Sequence, residues 1–167
     1  MTIENFSHTI DYWINELERY TFIQLCAKPS PTSWSLGQMY RHLIDDANFY
    51  VEQIKMCIEN NNHATEEATT HGKTMLHNND FPNEVIEGSP NNAFIPQPAS
   101  KEQLMNDLLN LKIEMNAMVV LILESPFKDK TKHPGLGYFS AKEWLQFADM
   151  HFRHHLRQKQ RIDAFLK

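Results

Sequence analysis

Residues 140–162 read SAKEWLQFADMHFRHHLRQKQRI, and the reading of this stretch decides the fold. Ser140 followed by Glu143 is a capping-box pattern, so a helix starts here. Trp144, Phe147 and Ala148 then recur at helical spacing, and Ile162 and Phe165 continue the apolar side. At about 100° per residue, His151 falls four positions after Phe147 and seven after Trp144, on the buried stripe. His155 lies four positions further, on the same face and roughly 6 Å along the axis. His154 is about 100° away from His155, at the edge of the stripe or in solvent. An apolar face that carries two imidazoles calls for a chemical reason.

Three more helical patterns precede this one. The first runs from about Ile3 to Leu25, with Phe6, Ile10, Trp13, Ile14, Leu17 and Phe22 in phase, until Pro29 and Pro31 break it. The second starts at Ser35, with Gln38 completing a capping box. It carries Met39, Leu43, Ala47, Tyr50, Ile54 and Cys57 on one side and fades near residue 60. The third starts at Ser100, answered by Gln103, and turns Leu104, Leu108, Leu111, Met115, Met118, Val119 and Ile122 inward before Pro126 ends it. Residues 61–99 are Asn- and Pro-rich and form a long loop with at most a short helical turn in HGKTMLHNNDFPNEVIEG; loops of that length are often functional. No β-pattern competes, and the connector FKDKTKHPGLGYF reads as turns. The expectation is an all-α four-helix bundle forming a single domain over 1–167.

Composition narrows the function. A formal net charge of −5 argues against nucleic acid, whose binders carry a basic patch. The basic run RHHLRQKQR occupies the last helical turns, where positive charge complements the helix dipole. Cys26 and Cys57 form no CxxC pair and read as reduced, packed thiols of a cytoplasmic protein. No stretch is apolar enough for a membrane span, and MTIENFSHTIDYW lacks the basic start of a signal peptide.

Neutral imidazole is the commonest transition-metal side-chain ligand, and two on adjacent turns of one face can share an ion. HxxxH alone is a short motif and more often marks two histidines hydrogen-bonded in or beside a core. His42 in YRHLIDDANF borders the apolar stripe of the second helix and is a candidate third ligand from a facing helix. Asp46, four residues on, lies on the same side. It is a candidate partner for a ligating histidine or a base beside the site, and equally a solvated acid next to Asp45. His133 is a further candidate ligand or a turn residue beside Pro134. His8, His63, His71 and His77 have no inward phase and are read as surface residues.

Two segments carry a resemblance to a known family. PTSWSLGQMYRHLIDDANFYVEQI resembles the second-helix segment of the DinB-like superfamily, where a Trp-Ser start precedes a His-Leu pair. HPGLGYFSAKEWLQFADMHFRHHLRQKQRI resembles its last-helix segment, with its HP-x-x-G turn, Glu-Trp helix start and HxxxH end. The resemblance implies an up-down-down-up bundle and a divalent metal, zinc or nickel, held by His42, His151 and His155. Some members are S-transferases that use bacillithiol, mycothiol or glutathione, and others isomerise maleylpyruvate with a thiol. Two functions of different class are therefore expected: a metal-dependent thiol transferase or hydrolase acting on a small-molecule substrate, or a non-catalytic metal-binding or stress-response bundle. Dimers are common in the family, so a homodimer is also expected. A nucleophilic-cysteine enzyme is disfavoured, because neither cysteine has a histidine at a telling spacing.

Overall fold

The computed structural model describes residues 4–83 and 94–167. Ile3 and the middle of the 61–99 segment lie outside the described residues. The helices are α1 (Glu4–Glu18), α2 (Phe22–Cys26), α3 (Leu36–Cys57), α4 (Thr70–Asn78), α5 (Lys101–Glu124), α6 (Ala141–His154) and α7 (Leu156–Leu166); strands β1 (Lys130–His133) and β2 (Gly137–Ser140) lie between α5 and α6.

Contacts between ends give the topology. The Lys101 ammonium, at the start of α5, donates to the carbonyls of Glu18 and Tyr20 at the end of α1, so these helices run antiparallel. Ser35 and Gln38 at the start of α3 bond to Gln97 and the Ile95 carbonyl just before α5, so α3 and α5 run parallel. Thr9 meets Asp149 and Tyr20 meets Asp163, so α1 is parallel to α6 and α7. His42 meets His151 while Tyr50 stacks on Trp144, which makes α3 and α6 antiparallel. The bundle is up-down-down-up, and the parallel α3–α5 pair explains the long connection between them.

Capping sets the helix starts. Ser35 and Ser140 each form a full capping box, with Gln38 and Glu143 respectively. At Ser100 the side chain accepts from the Gln103 N–H. The core is continuous through Phe6, Trp13, Leu43, Leu108, Met115, Trp144 and Phe152.

The structure corrects four expectations. The first helix is two: α1 ends before Arg19, and Thr21 opens α2 with its own capping box to Gln24. This competing cap turns the chain and leaves Phe22 exposed. The connector before α6 is a β-hairpin with Thr131 opposite Phe139. Each of its strands is four residues long, too short for a visible alternation. The last helix breaks at His155, which caps the end of α6 through its N–H to the His151 and Arg153 carbonyls and gives α7 no side-chain cap. Phe165 beyond the break is exposed, whereas Ile162 is buried. Within 61–99 the short helical turn is a full helix, α4, and Ala68 pairs with Gly137 to tie the segment to the hairpin.

Gly137 has φ +80°, and a Cβ there would stand 2.7 Å from the Thr69 nitrogen and 2.9 Å from the Glu67 oxygen. Gly137→Ala is expected to cost about 2 kcal/mol or more, from the left-handed backbone and the displaced strap together. That is roughly 6 °C in Tm for a chain of this length, measurable by thermal melting.

The side chain of Lys159 is buried in the core and is only 1% exposed. Its ammonium donates to Glu16, Asp163 and the Tyr20 hydroxyl at 2.7, 2.7 and 2.8 Å. Burial works to lower the Lys159 pKa, but these bonds outweigh it and raise it. Burial likewise works to raise the Glu16 carboxyl, yet bonds from Lys159 and Arg19 hold it below its ordinary 4.5. The lowered folded value means that the unfolded chain binds the proton more readily. Glu16 therefore contributes stability that is full above pH 4.5 and is lost as pH falls through the folded value. Urea midpoints measured from pH 6 down to about pH 3 should fall, and Glu16→Gln should flatten that fall.

Candidate metal centre

His42 comes from the second turn of α3, His151 from α6 and His155 from the break between α6 and α7. Because α3 and α6 are neighbouring and antiparallel, their inward faces meet at this level. The Nε2 of His151 lies 3.1 Å from the Nε2 of His42 and 3.1 Å from that of His155. One ligand atom from each of the three lies within 4.8 Å of the others. His42 and His151 are buried and His155 is partly so.

Burial, then the neighbouring imidazoles His155 and His154, pushes the His42 pKa down to about 3. Burial takes His155 down to about 4, against a hydrogen bond to Gln158 that works the other way. Burial, with His155 and His42 after it, drives His151 well below the ordinary value. All three rings are neutral at pH 7, the form that offers a lone pair to a metal.

The donor set fits a cation. Three neutral rings aim nitrogens at one another, and each has a single N–H to give. His155 Nδ1 is 2.9 Å from Gln158 Oε1, an arrangement that places its proton there and leaves Nε2 as a lone pair. His151 Nδ1 is buried and has no hydrogen-bond partner. Zinc–nitrogen bonds of about 2.0–2.1 Å at tetrahedral angles set ligand nitrogens roughly 3.3 Å apart, close to the 3.1 Å that His151 keeps to each of the other two rings.

Asp46 stands beside the triad with Oδ2 3.7 Å from Nε2 of both His42 and His151. Burial and then Asp45 push its carboxyl up to about 6, against a hydrogen bond from Tyr50. His133 lies elsewhere. Its Nδ1 accepts from the Gly135 N–H at 3.1 Å and its ring stacks on Trp144, so it serves the turn. His8, His63, His71 and His77 are exposed, as their lack of phase implies. His154 stacks on Phe81 with centroids 4.6 Å apart, at the edge of the stripe.

Of three further neighbours of the triad, two escape a reading by helical phase. Trp34, just before α3, packs 4.9 Å from the His42 ring. Phe81, from the turn after α4, reaches His151 at 6.1 Å. No periodic signal marks either, since both sit in loops. Gln158 is the exception: it lies three residues after His155, a spacing that puts side chains in contact on a helix.

Three imidazoles gathered from facing helices of an up-down-down-up bundle define a class of helical protein whose core can host a metal ion. The chain belongs to the DinB superfamily, whose family model matches residues 5–158. No curated protein matches the sequence. Among the described residues, no helix is long and apolar enough to cross a membrane.

Proposed function

We propose that this chain is a divalent-metal-dependent enzyme of DinB type, with His42, His151 and His155 as the metal ligands and thiol S-transfer to a small electrophile as the reaction. The observation that carries this reading is the count of converging ligands. The set that can share one ion has three members among the described residues, and neither His133 nor Asp46 joins it. Structural zinc is normally closed by four protein ligands, whereas three with an open position is the catalytic pattern. A zinc or nickel ion there would supply the Lewis acidity that favours a thiolate, the nucleophilic form, over a thiol.

The chain's own residues have separate tasks. Asp46 is placed to take the thiol proton, since it borders the triad and is partly open to solvent. The sulfur then bonds to the electrophilic carbon, and the leaving group departs with its electron pair. Trp34 and Phe81 wall the site with aromatic surface and exclude water from one side of it. Gln158 holds the His155 ring in one tautomer. Free Cys26 and Cys57 fit work in the cytoplasm.

The test is thiol consumption by zinc- or nickel-loaded protein, with bacillithiol, mycothiol and glutathione offered in turn beside a chromogenic electrophile. Turnover with one thiol, absent in His42→Ala and reduced at least tenfold in Asp46→Asn, is expected. Full metal loading with no thiol consumed in any arm would overturn the transferase reading.

A further inference from the structure

We propose that Phe81 is the specificity-determining residue of the three-histidine metal centre proposed above, because its ring closes that centre off from a cavity beside α4. The cavity measures about 320 Å³, at the lower end of the range for small-molecule sites. Its lining joins buried Met75 to the exposed polar side chains of Thr74, Asn78 and Asp80. Phe81 lines it too. The same ring stacks on His154 with centroids 4.6 Å apart, packs on Phe147 at 5.2 Å and reaches the ligand His151 at 6.1 Å. Phe81 is therefore a wall common to the cavity and the metal centre.

The chain fixes this wall in place. Asn79 ends α4 in the left-handed conformation, with φ 53°, and turns the segment that carries Phe81 towards α6. Three side chains from α6 and α7 then hold that segment. The Gln146 amide donates to the Leu76 carbonyl at 2.8 Å and to Asn79 Oδ1 at 3.1 Å. Arg153, seven residues on and so on the same face, donates to the Asn79 carbonyl at 2.8 Å. Arg157 donates to Asn83 Oδ1. Arg153 is itself oriented, since its Nε donates at 2.8 Å to Asp149, a 2% exposed carboxylate that also takes the Thr9 hydroxyl at 2.6 Å. Phe81 is only partly buried. Its own packing is a weak reason for so many bonds, and holding its ring against His151 is a stronger one.

The consequence is a limit on size. A ligand small enough to stay on the triad's side of the ring is admitted, and one with a bulky group towards α4 meets the phenyl edge or face. Removing the ring joins the centre to the cavity, where a larger group finds apolar surface at Met75 and hydrogen-bonding groups at Thr74 and Asn78. Asp80 on the same lining disfavours an anionic tail. A single methylene in an apolar pocket already discriminates by about 10- to 200-fold, so a whole ring suffices for the effect. Gln146 acts through Phe81 and is a positioning residue.

The experiment loads the full chain with cobalt(II), whose visible bands zinc, with its filled d shell, lacks. Imidazole and 4-phenylimidazole are titrated into wild type, Phe81→Ala, Gln146→Ala and the control His77→Ala, and the band shifts give their affinities. Wild type is expected to prefer imidazole. Phe81→Ala should tighten 4-phenylimidazole at least tenfold and change imidazole less than threefold. Gln146→Ala should move the ratio the same way by a smaller factor. His77, exposed on α4 and outside the cavity lining, should leave it unchanged when replaced. A cobalt-loaded Phe81→Ala protein with the wild-type ratio would overturn the role of Phe81 and leave the metal centre standing, as would a His77→Ala protein that shifts as far. Failure of wild type to take up cobalt would instead overturn the metal centre, and the role of Phe81 with it.

Discussion

Purified protein reloaded with zinc or nickel at neutral pH is expected to hold about one ion per chain, and the His151→Ala/His155→Ala variant to hold almost none. Elemental mass spectrometry reads both. The affinity loss should exceed about 100-fold, the upper range for removing a single outer hydrogen-bond partner of a ligand, because two ligand atoms are deleted here. Gln158→Ala gives the graded control: it keeps all three rings but frees His155, and about 10- to 100-fold is the expected loss. Because the three rings are neutral at pH 7, binding there should displace few protons, and affinity should fall as the pH is lowered and protons compete for the same nitrogens. Metal content that is equal in wild type and double variant would show that the ion sits elsewhere.

Lys159→Met is expected to lower stability by about 3 kcal/mol, because it leaves the partly buried carboxylates of Glu16 and Asp163 without their shared, fully buried cation. The side chain lengths are similar, so packing is largely kept and the loss reports on charge. In a chain of this size that corresponds to about 6–12 °C in Tm. Asp163 and Tyr20 retain their mutual hydrogen bond at 2.5 Å, and Glu16 retains Arg19 at 2.7 Å, which places the effect at the lower end of the range for broken buried pairs. Adding Glu16→Gln and Asp163→Asn to Lys159→Met should recover part of the loss, since the stranded charges are then gone. A cost below about 1 kcal/mol for the single variant would mean that water reaches the network and screens it.

The two results bear on different layers of the molecule. The Lys159 network joins α1 to α7, on the far side of the break at His155 from the triad's other ligands. It anchors the segment that follows His155. A Lys159→Met protein that melts early yet binds metal normally would show that the site depends on α3 and α6 more than on α7.

Much of this was legible in the sequence because it rests on local rules. Helix starts at Ser35 and Ser140 follow from side chains three residues apart, and the phase of His151 and His155 follows from the 3.6-residue turn. Both are properties of a few consecutive residues, so no partner is needed to read them. The loop positions were not legible for the same reason. Trp34 and Phe81 have no periodicity to betray which way they point, and only the docking of the segments before α3 and after α4 brings them to the triad. Lys159 is the sharpest case. A lysine in a basic run reads as solvated, and it is buried only because α1 and the turn after it supply Glu16 and Tyr20 from more than 130 residues away. The hairpin and the break at His155 belong here too, since Thr131 is held by the Trp144 indole at 2.7 Å and His155 is turned towards a ring on another helix. By itself the sequence determined four helical stretches, the apolar phase of each up to the breaks near Tyr20 and His155, and the three histidines that could meet. The tertiary structure alone decided that they do meet, how closely, and which loop aromatics enclose them, because such contacts join residues that are far apart along the chain.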